Sequence, residues 1–176
     1  MTQGSDSSRD FFERLDISAL ADYADKIREC EYFLKLASSE SDRTRFRWLT
    51  SAYLNAVYSY FETTALYAAV RFTDTETGEP LEDTEAIEII RKYVRVLQQE
   101  KKPFYVKTGG LHPVVAQLYK VRIAATHHFP LSIMAAGPNL PEDFHLGTMR
   151  GEGLPLLALC REALAVIKQL QTELDS

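Results

Sequence analysis

Cysteine is scarce. The chain has two, Cys30 and Cys160, far apart in sequence and outside any CxxC or Cys/His spacing. No disulfide framework or zinc motif is legible, and both are read as reduced core thiols. Seven prolines and eight glycines among 176 residues are too few for a collagen-like or low-complexity chain. No apolar run reaches the roughly 18 residues that a membrane span needs. The opening Met1 to Asp10 is polar and acidic rather than basic and then apolar, so neither a span nor an export signal is expected and the chain is read as cytoplasmic. Also missing are GxGxxG, GxxxxGK[ST], HExxH, GxSxG and an EF-hand loop, which removes the familiar nucleotide, zinc-protease, serine-hydrolase and calcium classes.

What is present is enough apolar material, 45% of residues, for one core without metal or disulfide support. Residues 1–10 are expected to be a disordered polar leader and 11–176 a single domain. Charge is unevenly spread. The net charge is −5, yet Arg91 to Arg122 holds eight basic residues against Glu100 alone, a local +7 that leaves −12 for the rest. Such asymmetry points to an anionic partner docking on one part of an acidic protein, against a simple solvated helix face. Tyr93, Phe104, Tyr105 and Tyr119 lie in the same stretch and could stack on bases.

Apolar periodicity predicts helices almost throughout. Ile17, Leu20, Ala24, Ile27, Cys30, Leu34 and Ala37 mark a first helix from about Asp16 to Ser39. Asp42 caps a second, running through about Phe72, whose faces are apolar on several sides, as in a helix central to a bundle or a dimer. Ile87, Ile90, Val94 and Leu97 suggest a third that stops at Lys102, before Pro103. Pro113 opens a fourth, ended by Phe129-Pro130, and a last runs from about Pro155 to Glu173. A long loop with several Pro and Gly residues, from Pro130 to Gly153, separates these two. The expectation is an all-α bundle of about five helices, mostly antiparallel up-down because the connections are short.

Two groups of residues could carry chemistry. A metal set from His127, His128, Asp143 and His145 has poor geometry, since adjacent helical histidines diverge by about 100°. No metal or cofactor is therefore expected. The other group is Arg122-Ile-Ala-Ala-Thr-His127-His128, an Arg followed by a His near the end of the fourth helix and inside the basic stretch. Ser51, Asn55, Ser59 and Glu62 form one polar stripe on the otherwise apolar second helix.

On Arg122 and His127, with His128 as alternate, and on this helix order, the chain resembles the HEPN superfamily of small helical bundles. Many members are metal-independent endoribonucleases of toxin or defence systems with an R-x(4–6)-H motif. The resemblance implies a homodimer with the site between two motifs, His127 as base, Arg122 as phosphate-stabilising cation, and Asn55, Ser59 or Glu62 supporting them. Lys101, Lys102, Lys107 and Lys120 would line an RNA cleft, and a cognate antitoxin or inhibitor protein would be a natural partner. Two positions depart from the pattern: Ile123 replaces the usual polar residue after the arginine, and Phe129 replaces a tyrosine that some members use as an adenylyl acceptor. A non-catalytic bundle of the same ancestry, binding RNA or a protein partner, is the alternative from a different class.

Overall fold

The computed structural model describes residues 23–71, 85–99, 102–106, 111–127, 130–147 and 153–176. The polar leader, the start of the first predicted helix, Lys101, Lys107 and His128 lie outside these. Five helices appear among the described residues: α1 (Tyr23–Ala37), α2 (Arg43–Arg71), α3 (Glu85–Arg91), α4 (Pro113–His127) and α5 (Leu156–Asp175).

The turn between α1 and α2 is set by side chains that satisfy helix-end backbone groups. The Asp42 carboxylate accepts the Arg45 N–H at 2.8 Å, and its carbonyl takes the first helical bond, from Phe46 N–H. The expected cap is in place. Arg45 in turn forks onto Glu40 with bonds of 2.9 and 3.0 Å. Replacing Asp42 by alanine is expected to cost about 1 kcal/mol of stability. Urea unfolding would show it, and an unchanged midpoint would mean the turn holds without its cap.

α2 is the axis of the molecule. It touches α1, α3, α4, α5 and two strands, and its Phe46, Tyr53, Tyr60 and Phe61 are completely buried. Much of its apolar surface is thus buried within one chain. α5 shows the regular spacing expected of it, burying Leu156, Cys160, Ala163, Ile167 and Leu170 against α1 and α2. Tyr53 donates to the Cys160 carbonyl at 2.7 Å and Tyr60 to the Gln171 side chain at 3.1 Å. Both partners advance together, so α2 and α5 run in the same direction, a departure from the antiparallel expectation. Both cysteines are buried and reduced, and burial pushes the Cys30 thiol up to about 12.

The all-α expectation needs correction in two places. The predicted third helix does not reach Lys102: α3 ends at Arg91, and the chain turns through Lys92 and Tyr93. It then forms an antiparallel ribbon of β1 (Val96–Gln99) and β2 (Lys102–Val106). The β-branched Val94, Val96 and Val106 are buried here and favour extended backbone, while Pro103 sits in a two-stranded ribbon with open edges, where a missing N–H is tolerated. Tyr93 bonds Glu173 of α5, and Lys92 reaches the same carboxylate at 3.3 Å.

The long Pro/Gly loop also has structure. It forms an antiparallel sheet of β3 (Ile133–Ala135), β4 (Phe144–Leu146) and β5 (Leu154–Pro155), in the order β3-β4-β5. Phe144 is buried with its ring 4.7 Å from that of Phe46, and Arg161 of α5 holds Glu142 through bonds of 2.9 and 2.7 Å. A Cβ on Gly153 would come within 2.7 Å of the His145 Cβ, so only glycine lets β5 approach β4 there. No helix among the described residues is long and apolar enough to cross a membrane.

Candidate functional site

α4 lies against α2 in the opposite sense. Tyr58 of α2 meets Tyr119 and Arg122 of α4, while the start of α2 and the segment just after α4 line one groove. Going from Arg122 toward His127 therefore means going back along α2, from Tyr58 toward Asn55 and Ser51.

Tyr119 and Arg122, one turn apart, both face Tyr58. The Arg122 guanidinium carbon stands 3.5 Å from the centre of the Tyr58 ring, a cation-over-face arrangement. The Tyr58 and Tyr119 rings are 5.4 Å apart. Glu62, one turn beyond Tyr58, and Arg122 both act on the Tyr58 hydroxyl. Burial raises the Tyr58 pKa above the ordinary phenol range, the bond to Glu62 and its charge add to this, and Arg122 opposes it. The same order holds for Tyr119, with burial first, then the charges of Tyr58 and Glu62. The Tyr119 hydroxyl is buried with no hydrogen-bond partner among the described residues. A cation is thus held on an aromatic plate that a carboxylate steadies from behind.

Of the residues expected to support the motif, Glu62 is the one that acts on Tyr58. Asn55 is exposed on the same stripe and Ser59 half-buried, and neither enters the bonds of this cluster. His127 is the last residue of α4, about 7.5 Å along the axis and about 140° around it from Arg122; its side chain, like all of His128, is outside the described residues. Lys120 is exposed, about 200° around α4 from Arg122, on the far side from the cluster. Lys102 begins β2. Tyr119 and Tyr93, considered as stacking platforms, are both buried and unavailable to a base. Tyr93 lies parallel to the His112 ring, 5.9 Å away.

Of the metal set, only the Asp143 and His145 side chains are described, and no three His, Cys, Asp or Glu side chains gather to hold an ion among the described residues. Asp143 instead accepts the Asn139 N–H.

Two features escaped the sequence reading. Tyr58 reads in the sequence as one more apolar position of its helix, although Arg122 rests on its ring. The other is a groove of about 480 Å³ where Arg43, Thr44 and Arg47 of α2 face Pro130–Met134 and Gly147. The run Arg43-Thr-Arg45-Phe-Arg47 is its signal in the sequence, outweighed there by the larger charge excess of the Arg91 to Arg122 stretch.

The phenols set an alkaline limit on the fold. Tyr93, pushed up to about 12 first by burial and then by Glu173, keeps its proton where an unfolded tyrosine near 10 begins to lose it. Tyr53, Tyr58 and Tyr119 shift the same way, each chiefly by burial. A raised folded pKa gives stability that is complete below the unfolded value and is lost as pH rises through the folded one. The urea midpoint is therefore expected to fall between neutral pH and about pH 11, with the phenolate absorbance of these four tyrosines appearing together with unfolding. Ionisation of all nine tyrosines near pH 10 in the intact fold would contradict these placements.

Comparison with known protein families, with curated proteins and with solved structures finds no match to this chain.

Proposed function

We propose that this protein is a HEPN-like, metal-independent RNA endonuclease of toxin or defence type, acting as a homodimer. The observation that carries the reading is Arg122, a half-buried guanidinium fixed over Tyr58 and steadied through it by Glu62, five residues before the histidine that ends α4. RNA brings its own nucleophile, the ribose 2′-OH. His127 takes that proton as the oxygen attacks the adjacent phosphorus, a role for which histidine is the usual side chain. The 5′ oxygen of the next nucleotide leaves and is protonated by the imidazolium, and a 2′,3′-cyclic phosphate remains. Arg122 stabilises charge developing on the phosphoryl oxygens, and its fixed plane lowers the reorganisation this requires.

One observation favours a second reading, a non-catalytic bundle that binds RNA or a protein partner. The contacts of Arg122 with Tyr58 also brace α4 against α2, so they suit a structural arginine.

The test is incubation of purified protein with mixed RNA in EDTA, comparing wild type with His127→Ala and Arg122→Ala. Product ends are analysed for 2′,3′-cyclic phosphate and mass is measured in solution. Metal-independent cleavage abolished by both substitutions supports the enzyme. No cleavage by a folded dimer favours the binding module, and cleavage that survives both changes overturns this site.

A further inference from the structure

The groove at the start of α2 is built for an anion. Arg43 and Arg47 are one turn apart on α2 and both line it, so their Cβ atoms are about 5–6 Å apart and both guanidinium groups can reach one ligand. Neither makes a hydrogen bond or an ion pair with a carboxylate among the described residues. Arg45 between them does, with Glu40, and Asp42 spends its carboxylate on the Arg45 N–H. Among the described residues no acidic one lines the groove, and Thr44 and Ser132 add hydroxyls. Two guanidinium forks without a carboxylate suit phosphate oxygens. Leu131, Ile133 and Met134 give the opposite wall apolar surface, and the volume is that of a small-ligand site rather than of a single ion.

Position ties the groove to Arg122. At 100° per residue, Thr44, Arg47, Ser51, Asn55, Tyr58 and Glu62 follow one another along a single face of α2. Arg47 and Tyr58 are eleven residues apart on it, about 16 Å. Ser51 and Asn55, half-buried and exposed respectively, fill the interval, and nothing on that face between Arg47 and Tyr58 is acidic. Trp48, 61% exposed and one turn from Thr44, stands beside the groove.

We infer that this groove holds a phosphate of single-stranded RNA between Arg43 and Arg47, so that the strand runs along α2 over Ser51 and Asn55 toward Arg122. This rests on the RNA reading of the site but not on catalysis. It moves the cationic part of the RNA path from the lysines between Lys101 and Lys120 to the arginines of α2.

Trp48 is the chain's single tryptophan, so its emission reports on the groove. The full-length protein is titrated with a mixed-sequence oligoribonucleotide whose 2′ positions are O-methylated and cannot be cleaved, and separately with inorganic phosphate. RNA is expected to change Trp48 emission and to bind more weakly as salt rises. The double variant Arg43→Gln/Arg47→Gln should lose about tenfold or more in affinity, and its slope of log K against log salt should fall by about 0.7, one single-strand phosphate contact. Arg45→Gln should keep the slope, and Arg43→Lys/Arg47→Lys should recover it. Unchanged RNA affinity and slope in the glutamine variant, with its thermal unfolding intact, would overturn the inference. So would arginine-dependent quenching by phosphate alone without RNA binding, which would mark a small-anion site. Because the probe cannot be cleaved, a protein that binds it in this way but cuts no RNA would sink the enzyme reading and leave the groove standing.

Discussion

Truncating Tyr53 to alanine is expected to remove about 4 kcal/mol of stability, a large part of the roughly 5–15 kcal/mol that holds a domain of this kind folded. Two terms add. The ring is completely buried at the centre of α2, so its loss opens a cavity between helices whose length and packing resist collapse. Its hydroxyl donates at 2.7 Å to the Cys160 carbonyl of α5, and removal costs that bond as well. The terms separate in Tyr53→Phe, which keeps the ring and loses the bond: about 1 kcal/mol is expected, because the carbonyl stays buried after its donor is gone. Urea unfolding with an unchanged slope would check both. An alanine variant no less stable than the phenylalanine one would mean the ring is poorly packed, and the α2–α5 contact would not then be the frame on which the site is built.

That frame was largely legible in the sequence. α2, α4 and α5 appear close to where periodicity and local signals put them, because Asp42, Pro113 and the regular stripe from Leu156 to Leu170 act through nearby backbone and a single face. What was not legible depends on distant partners. Ile87, Ile90, Val94 and Leu97 keep helical spacing across a point where the chain leaves the helix, and what decides the outcome is the burial of Tyr93 against α5 and of Val96 and Val106 in a ribbon. The sheet of β3, β4 and β5 has strands of two or three residues, too short for alternation to show. Its position depends on Phe144 meeting Phe46 and on Arg161 meeting Glu142, neither of which is local. At the site, Glu62 was singled out from its stripe, but a tyrosine on a helical face reads as core, and nothing in its spacing says that an arginine from another helix will lie upon it. Of the lysines, Lys101 and Lys107 lie outside the described residues, and Lys120 is exposed on α4.

Arg122 carries the largest expected effect on activity. Its loss in Arg122→Ala is expected to slow RNA cleavage about 10²–10³-fold, the usual consequence of removing one preorganised group from a developing oxyanion. The decisive comparison is Arg122→Lys. A lysine keeps the charge, but its ammonium has neither the flat face that rests on Tyr58 nor the fork that matches two phosphoryl oxygens, so little of the rate should return. Tyr58→Phe keeps the plate while cutting the link to Glu62, and its defect should be milder and lie in kcat rather than KM, because it disturbs the aim of the cation and not its charge. Tyr58→Leu, which removes the plate, should approach the alanine variant of Arg122. If Arg122 were only a brace between α2 and α4, the pattern would reverse: Arg122→Ala and Tyr58→Leu would each lose about 1 kcal/mol of stability with the cation over the ring, and cleavage per folded molecule would stay as in wild type. Rate and stability measured on the same four variants therefore distinguish a cation that works on RNA from one that only holds two helices together.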